Sequence, residues 1–155
     1  MNYTSKITID LPRQEVFKKM ENLENLPHWQ KGLLEVTPLS GEPGEEGSKM
    51  KLQYQMEKRK MEVTKTVMKI NFPEEIQTTH DTHDTHNIQK NYFKETENNQ
   101  TLWIHENEFK FSSLALQFLG WMMPSVFKKQ TTTHMKNFKA FAEKGISIKN
   151  DDGKN

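Results

Sequence analysis

The final part of the chain carries a long amphipathic segment that limits how the rest can fold. From Pro124 to Lys144, apolar or small residues recur at intervals of three and four, which predicts one helix with a single stripe along it. The stripe consists of Phe127, Thr131, Met135, Phe138, Phe141 and Ala142. Pro124 suits the first helical turn, and Gly145 follows where a left-handed cap is expected. A helix of about 20 residues spans roughly 30 Å, so the stripe needs an equally wide apolar partner.

The segments before this helix predict an antiparallel sheet. Residues 3–11 alternate between apolar and polar, as in a half-buried strand, and residues 12–20 and 22–27 predict two short helices. Strand-like segments at hairpin spacing follow, and we interpret residues 76–95, which lack Gly and Pro, as one long or bulged strand. Consecutive hairpins make antiparallel sheets, and the only large partner for the apolar face is the final helix. The predicted fold is α+β, with the sheet curved around that helix.

Composition limits the class of protein. The 155 residues predict one domain over residues 1–145, followed by a polar tail over 146–155 that we expect to be disordered. Twenty-two Lys and Arg face 21 Asp and Glu, a formal charge of +1, which argues against a nucleic-acid partner. Without cysteine there is no disulfide or thiolate chemistry. Residues 114–123 are too few to span a bilayer, and no signal-peptide core is present, so we expect a cytoplasmic protein without stable membrane insertion.

Four sequence segments carry a resemblance to a known family. They are ITIDLPRQEVFKKM, NLENLPHWQKGLLEV, SGEPGEEGSKMKL, and ENEFKF leading into the final helix. Together with the order of the elements they resemble the START-like (SRPBCC) superfamily, in its polyketide cyclase/dehydrase-like branch, over essentially the whole chain to about Lys144. The resemblance implies the helix-grip fold and a hydrophobic cavity between the sheet and the final helix. It carries over no catalytic residue, because the superfamily has no universal catalytic motif.

A histidine repeat, THDTHDTHN, raises the question of a metal site. His80, His83 and His86 recur every third residue with aspartates between them, and both residue types bind metals. In a strand, however, residues three apart face opposite sides and six residues cover about 20 Å. One metal ion therefore cannot bind all three side chains, and we predict neither a metal site nor a cofactor.

The phase of the strands selects which polar side chains face the interior. If no bulge interrupts the long strand, its even-numbered apolar residues set an inner face that also includes His80, Asp84 and His86. On the last strand His105 shares the inner face with Trp103. The preferred interpretation is that these side chains are solvated or hydrogen-bonded wall residues. The alternative is a functional metal or acid–base pair.

The cavity that the resemblance implies leads to a set of candidate ligand-binding residues. They are Trp29, Met50, Tyr54, His80, Asp84, His86, Trp103, His105, Trp121, Phe127, Thr131 and His134. Tyr54 and Trp29 offer polar groups in an apolar pocket, and His134 lies near the helix stripe, where it either bonds to the sheet or contacts a ligand. No residue is assigned a catalytic role, because the chain has neither a nucleophile elbow nor a phosphate loop.

An apolar cluster precedes the final helix at Phe118, Trp121, Met122 and Met123. Such clusters more often close a core than bind a membrane. The position at the mouth of the family's cavity keeps a gate or membrane-contact role open.

Three functional hypotheses follow. The leading one is the binding of an apolar or amphipathic small molecule, lipid- or polyketide-like, without catalysis. The alternative is a cyclase- or dehydratase-type enzyme that uses His80, Asp84, His86 or His105 as acid and base. The third is a protein- or membrane-interaction module that docks through Trp121 and Met122. An apolar cavity lining would favour the first, converging polar side chains the second, and a large exposed patch at residues 118–123 the third.

Overall fold

A computed structural model describes residues 1–149 as seven strands and four α-helices. The elements in chain order are β1 (Asn2–Ile9), α1 (Arg13–Glu21), a 3-10 turn (Leu23–Asn25), α2 (Leu26–Trp29), β2 (Leu33–Ser40), β3 (Lys49–Met56), β4 (Arg59–Asn71), β5 (Glu75–Asp81), β6 (Thr85–Glu95), β7 (Thr101–Phe111), α3 (Leu114–Met122) and α4 (Pro124–Lys144). The strands form one antiparallel sheet in the order β1-β7-β6-β5-β4-β3-β2. This architecture confirms the predicted α+β class, with two short helices after the first strand.

The long C-terminal helix forms where its periodicity predicts it. Pro124 lies in the first turn, and Gly145 caps the other end with a left-handed φ of 67° while its N–H bonds to carbonyls of the last turn. Met135, Phe138 and Ala142 are buried on the stripe, where α4 packs against β1, α1 and α2. The core therefore lies under the C-terminal half of α4. Each large apolar side chain buried there contributes about 1.5–3 kcal/mol.

One predicted strand is in fact two. Residues 76–95 form β5 and β6, which pair with each other across a turn at residues 82–84. The turn contains neither Gly nor Pro. It is held instead by side chains, because Thr82 Oγ1 accepts the N–H of Thr85 at 3.2 Å and donates to Asp84 Oδ1 at 3.0 Å. The prediction of one continuous strand was wrong because a Thr and an Asp stabilise this turn in place of the usual glycine or proline.

The turn changes which residues face inward. In the β5–β6 ladder His80 lies opposite Asn87, and directly opposed residues share a face. Even-numbered residues of β5 therefore point to the interior together with odd-numbered residues of β6. As a consequence, His80 keeps its predicted inward position, whereas the inward positions predicted for Asp84 and His86 are not observed.

The start of the predicted disordered tail has a defined place. Ser147 Oγ lies 2.8 Å from His28 Nδ1, and the Ile148 N–H donates to the His28 carbonyl at 3.0 Å. These bonds attach residues 146–149 to α2. The rest of the predicted tail, residues 150–155, lies outside the described residues.

A glycine between α2 and β2 allows a close backbone approach, which leads to a stability prediction. Gly32 has a φ of 79°, and a Cβ there would meet the Gln55 carbonyl oxygen at 2.4 Å. Gly44 has a φ of 87°, but a Cβ there would have no neighbour within 4 Å. We expect Gly32→Ala to lower the free energy of unfolding by about 2–4 kcal/mol and Gly44→Ala by only about 1 kcal/mol. Urea unfolding of the two variants measures the difference, and equal losses would contradict this account.

Candidate functional site

A cavity of about 110 Å³ lies between the sheet and the first, second and last helices. Its lining side chains come from β3 to β7, from α1, α2 and α4, and from the residue after α2. They are Met20, Glu21, Leu26, Trp29, Gln30, Tyr54, Lys65, Ile76, Thr78, His80, Gln89, Asn91, Trp103, His105 and His134. Most of these carry a polar or charged group, so the cavity is polar rather than apolar.

Strand alternation places the polar groups on the inner face of the sheet. Thr78 and His80 are two residues apart on β5, as are Gln89 and Asn91 on β6 and Trp103 and His105 on β7. The neighbouring strands β5, β6 and β7 bring these pairs side by side. His134 approaches from α4 on the opposite side.

Asn91 connects two strands and determines the protonation of His105. The indole N–H of Trp103 donates to Asn91 Oδ1 at 2.8 Å, and His105 Nδ1 lies against the same oxygen. Because an indole nitrogen can only donate, the Asn91 atom facing it is the oxygen. His105 Nδ1 must then carry the proton that this oxygen accepts. The other ring nitrogen, Nε2, is consequently the unprotonated one in the neutral imidazole, and the Asn107 side chain is a further hydrogen-bond partner of the ring.

The three imidazoles that line the cavity are neutral at pH 7. Burial lowers the pKa of His105 to about 3, with a further contribution from His134. Burial alone lowers the pKa of His134 to about 4. Burial lowers the pKa of His80 well below its ordinary value, and Lys65, His105 and His134 act in the same direction. The loss of hydration on burial thus disfavours imidazolium at all three positions, and the Lys65 cation adds to this effect at His80.

Two polar atoms of the lining residues lack a hydrogen-bond partner among residues 1–149. They are the indole Nε1 of Trp29 and Nδ1 of His80, and both are buried. Trp29 is held in place by ring contacts with His134 and Phe138, at centroid distances of 4.7 and 4.9 Å. Buried polar groups are normally paired, so these two atoms are able to form a hydrogen bond with a molecule in the cavity.

Tyr54 closes the side of the cavity near α2. Its hydroxyl donates to Gln30 Oε1 at 2.6 Å. Burial raises the pKa of Tyr54, so the phenol stays protonated at neutral pH. The Tyr54 hydroxyl proton is therefore held in the hydrogen bond to Gln30.

The structure brings half of the candidate residues together around the cavity. These are Trp29, Tyr54, His80, Trp103, His105 and His134. Met50 belongs instead to the packed core, and Thr131 bonds through its hydroxyl to the Tyr3 hydroxyl at 2.7 Å. Phe127 packs on Phe109 and Phe111 beyond the end of the cavity.

The remaining three candidates lie on other surfaces. Asp84 belongs to the β5–β6 turn, His86 Nδ1 is paired with Asp81, and Trp121 is exposed on α3. The repeat is thus split between the two sides of the sheet, and His83 is exposed. Within residues 1–149 no group of three or more His, Asp or Glu is placed to hold a metal ion.

Sequence reasoning missed several polar lining residues on neighbouring strands. Lys65, Thr78, Gln89 and Asn91 were not nominated, although each lies in a segment predicted as strand. For Gln89 and Asn91 the cause is the phase error at the hairpin, which turned them outward. Alternation of polar residues at 87, 89 and 91 was visible in the sequence, but polar positions on a strand usually face water.

Comparison with known proteins supports the fold and nothing finer. No family model matches the chain, and no curated protein matches it in sequence. Among solved structures, Ara h 8.0201 is similar with a TM-score of 0.75 and 13% identity, covering 92% of this chain and 97% of that chain. A conserved protein from Geobacillus kaustophilus is similar with a TM-score of 0.76 and 15% identity, covering 94% and 97%.

A third structure of the same kind is ginseng major latex-like protein 151 from Panax ginseng. It has a TM-score of 0.71 and 9% identity, and the match covers 92% of this chain and 97% of that chain. These likenesses confirm the helix-grip fold that the resemblance to the START-like superfamily implied. At such identities they carry no information about the ligand.

Proposed function

We propose that this chain is a cytoplasmic binding protein for a small amphipathic molecule whose polar end enters the cavity. The observation that supports it is the convergence of the unpaired Trp29 N–H, the unpaired Nδ1 of His80 and the imidazoles of His105 and His134 on one cavity. A pocket in which a few polar groups orient a ligand is the usual arrangement of small-molecule sites.

The polar lining of the cavity favours an amphipathic ligand over a purely apolar one. A purely apolar ligand would leave the polar atoms of Trp29 and His80 buried without partners, at a cost of about 1–3 kcal/mol each. A group that both donates and accepts, such as a hydroxyl, can satisfy His105 Nε2 and the Trp29 N–H together.

The size of the cavity limits how much of the ligand it holds. Drug-sized ligands occupy sites of roughly 300–1,000 Å³. At about 110 Å³, this cavity holds only a small molecule or the polar end of a larger one. The apolar part of a larger ligand would extend toward Met20 and Leu26, the aliphatic residues that the helices contribute to the lining.

A ligand screen with matched variants tests this proposal. We expect hydroxylated aromatics such as flavonoids to raise the melting temperature with concentration, and polycyclic hydrocarbons without a polar group to leave it unchanged. Trp29→Phe, which removes the N–H, and His105→Leu, which removes the acceptor, should each abolish the shift. His86→Gln, on the outer face of the sheet, should keep it. Equal shifts from the hydrocarbons, or unchanged binding in both cavity variants, would contradict the proposal.

A second candidate function is acid–base catalysis, which the three imidazoles in one cavity favour. A general base works best when its pKa lies near the working pH. At a pKa of about 3 for His105 and about 4 for His134, these side chains are weak bases at pH 7. The electrostatics of the site therefore support binding over catalysis.

A further inference from the structure

The short helix α3 presents an apolar face to the surroundings. Leu114 is 82% exposed, Phe118 61%, Trp121 75% and Met122 56%. These positions are separated by four, seven and eight residues, so they form one continuous face of the helix. The rings of Phe118 and Trp121 lie 6.1 Å apart. Unlike the scattered exposed side chains of most proteins, this group is contiguous, which marks an interaction surface.

The opposite side of α3 fixes the helix to the sheet. Gly120 is buried, and a Cβ there would meet the ring of Phe111 at 3.0 Å. Ser113 caps the N-terminus by accepting the Leu116 N–H, and Gln117 donates to the Phe111 carbonyl at 2.9 Å. The helix is thus attached through its small and polar residues, while its large apolar side chains point away.

The stretch of sequence that contains α3 carries charges of one sign. Residues 109–142 contain no Asp or Glu but have five lysines, in a chain whose formal charge is only +1. Lys110 pairs with Glu108 and Lys139 with Glu143. Lys128 and Lys129, which follow in the first turns of α4, are exposed and have no ion pair within residues 1–149. The apolar face therefore lies in a stretch of the chain that carries five lysines and no carboxylate side chain.

We propose that the exposed face of α3 docks this protein on the surface of an anionic lipid bilayer. A helix with Trp, Phe and Leu on one face and lysines nearby is typical of segments that lie in the membrane interface. Lysines near the surface are attracted by anionic headgroups. None of the helices in residues 1–149 is long and apolar enough to cross a membrane. A second copy of the chain is a poorer partner, because pairing the two faces would bring like-charged lysines together.

A groove beside the helix fits the same partner. It has a volume of about 510 Å³ and is lined by Phe109, Phe111, Gln117, Trp121 and Lys110, among others. Three of its seven lining residues are aromatic, and Lys110, which pairs with Glu108, supplies a cation. The acyl chain of a phospholipid would pack against the aromatic residues of the groove. The phosphate of the same lipid would pair with the lysine.

The fluorescence of Trp121 gives a direct test. The chain's other two tryptophans, Trp29 and Trp103, are buried, so a change on adding vesicles reports on α3. With phosphatidylglycerol-containing vesicles we expect a blue shift and quenching by brominated lipid. Binding should fall steeply at about 1 M salt, where the Debye length is about 3 Å. Vesicles of phosphatidylcholine alone should bind at least about tenfold more weakly.

Variants distinguish the α3 face from the other exposed apolar side chains of the protein. Phe118→Ser and the Lys128→Glu/Lys129→Glu pair should each weaken co-sedimentation with the anionic vesicles by about tenfold or more while leaving the melting temperature unchanged, because all three residues are exposed. Leu34→Ser is the matched control, since Leu34 is 59% exposed on β2, and it should bind like the parent.

Three results would overturn the proposal. They are no fluorescence change with anionic vesicles, equal and salt-independent binding to both vesicle types, and concentration-dependent self-association that Phe118→Ser removes. The last result would identify the face as a protein interface. None of these outcomes depends on the cavity, which the Trp29→Phe variant tests separately.

Discussion

Phe138→Ala is expected to lower the free energy of unfolding by about 3–5 kcal/mol. Phe138 is completely buried and packs edge-on against Trp29 and Trp103, at centroid distances of 4.9 and 5.4 Å. It therefore joins α4 to both α2 and β7. Truncation removes the transfer free energy of the ring and leaves a void that three rigid elements cannot easily fill.

Chemical denaturation of the purified variant measures this loss. Phe118→Ala is the matched control, because Phe118 carries the same side chain at an exposed position and should change stability by less than about 0.5 kcal/mol. A loss below about 1 kcal/mol for Phe138→Ala would mean that α4 does not pack on the sheet as described. The variant should also weaken ligand binding, since Phe138 supports Trp29.

Acidification from about pH 7 to about pH 5 is expected to destabilise the fold strongly. Unfolded histidine has a pKa of about 6.5, whereas burial holds the pKa of His105 at about 3 and that of His134 at about 4. Over this window the unfolded state takes up protons that the folded state does not, so stability falls as the pH falls. Each of these two imidazoles contributes on the order of 2 kcal/mol to the loss, and His80 acts in the same direction.

Urea unfolding at several pH values tests the direction and the source of this effect. Carboxylates titrate mainly below about pH 5, so they contribute little over the window. Replacing His134 with Gln removes one titrating group and should flatten the dependence. A His134→Gln protein with the parent's pH dependence would show that His134 is not buried as a neutral imidazole.

The hydrophobic core and the lining of the cavity share residues. Trp29, Trp103 and Phe138 form the packed centre, yet the two tryptophans also line the cavity. The polar residues beside them, among them His80 and Asn91, fill positions where apolar side chains would stabilise the sheet more. Proteins keep such residues where function requires them, and this is the physical reason for treating the cavity as the site.

Local periodicity was enough to predict the elements whose sequence and environment agree. The stripe of α4 repeats every three or four residues and has a proline and a glycine at its ends, so both its type and its limits were readable. On β7, alternation placed Trp103 and His105 on the inner face, which is where they lie. The sheet curved around the helix followed, because a wide helical stripe and an antiparallel sheet can cover each other in few ways, and the resemblance to the START-like superfamily implied the helix-grip fold.

The β5–β6 hairpin could not be read from the periodicity of the sequence. Its turn depends on bonds from Thr82 and Asp84 to nearby groups, and these side chains are also common within strands or loops. A change of phase by one residue moves every following side chain to the other face. For that reason the strand phase read from the sequence placed His80 correctly on the inner face. After the turn, the same phase placed His86 on the inner face, where the structure has Asn91.

Only the tertiary structure decided the roles of the apolar cluster at α3 and of the polar residues in the cavity. The sequence determined that Phe118 and Trp121 lie in an apolar segment, but whether such a segment is covered depends on what packs on it. Here Gly120 and Leu116 take the sheet-facing side, so the large side chains are left exposed. Likewise, Asn91 is polar in any environment, but its bonds to Trp103 and His105 form only because β6 and β7 are neighbours in the sheet. Periodicity acts between neighbours along the chain, whereas burial and hydrogen bonding are set by contacts between residues far apart in it.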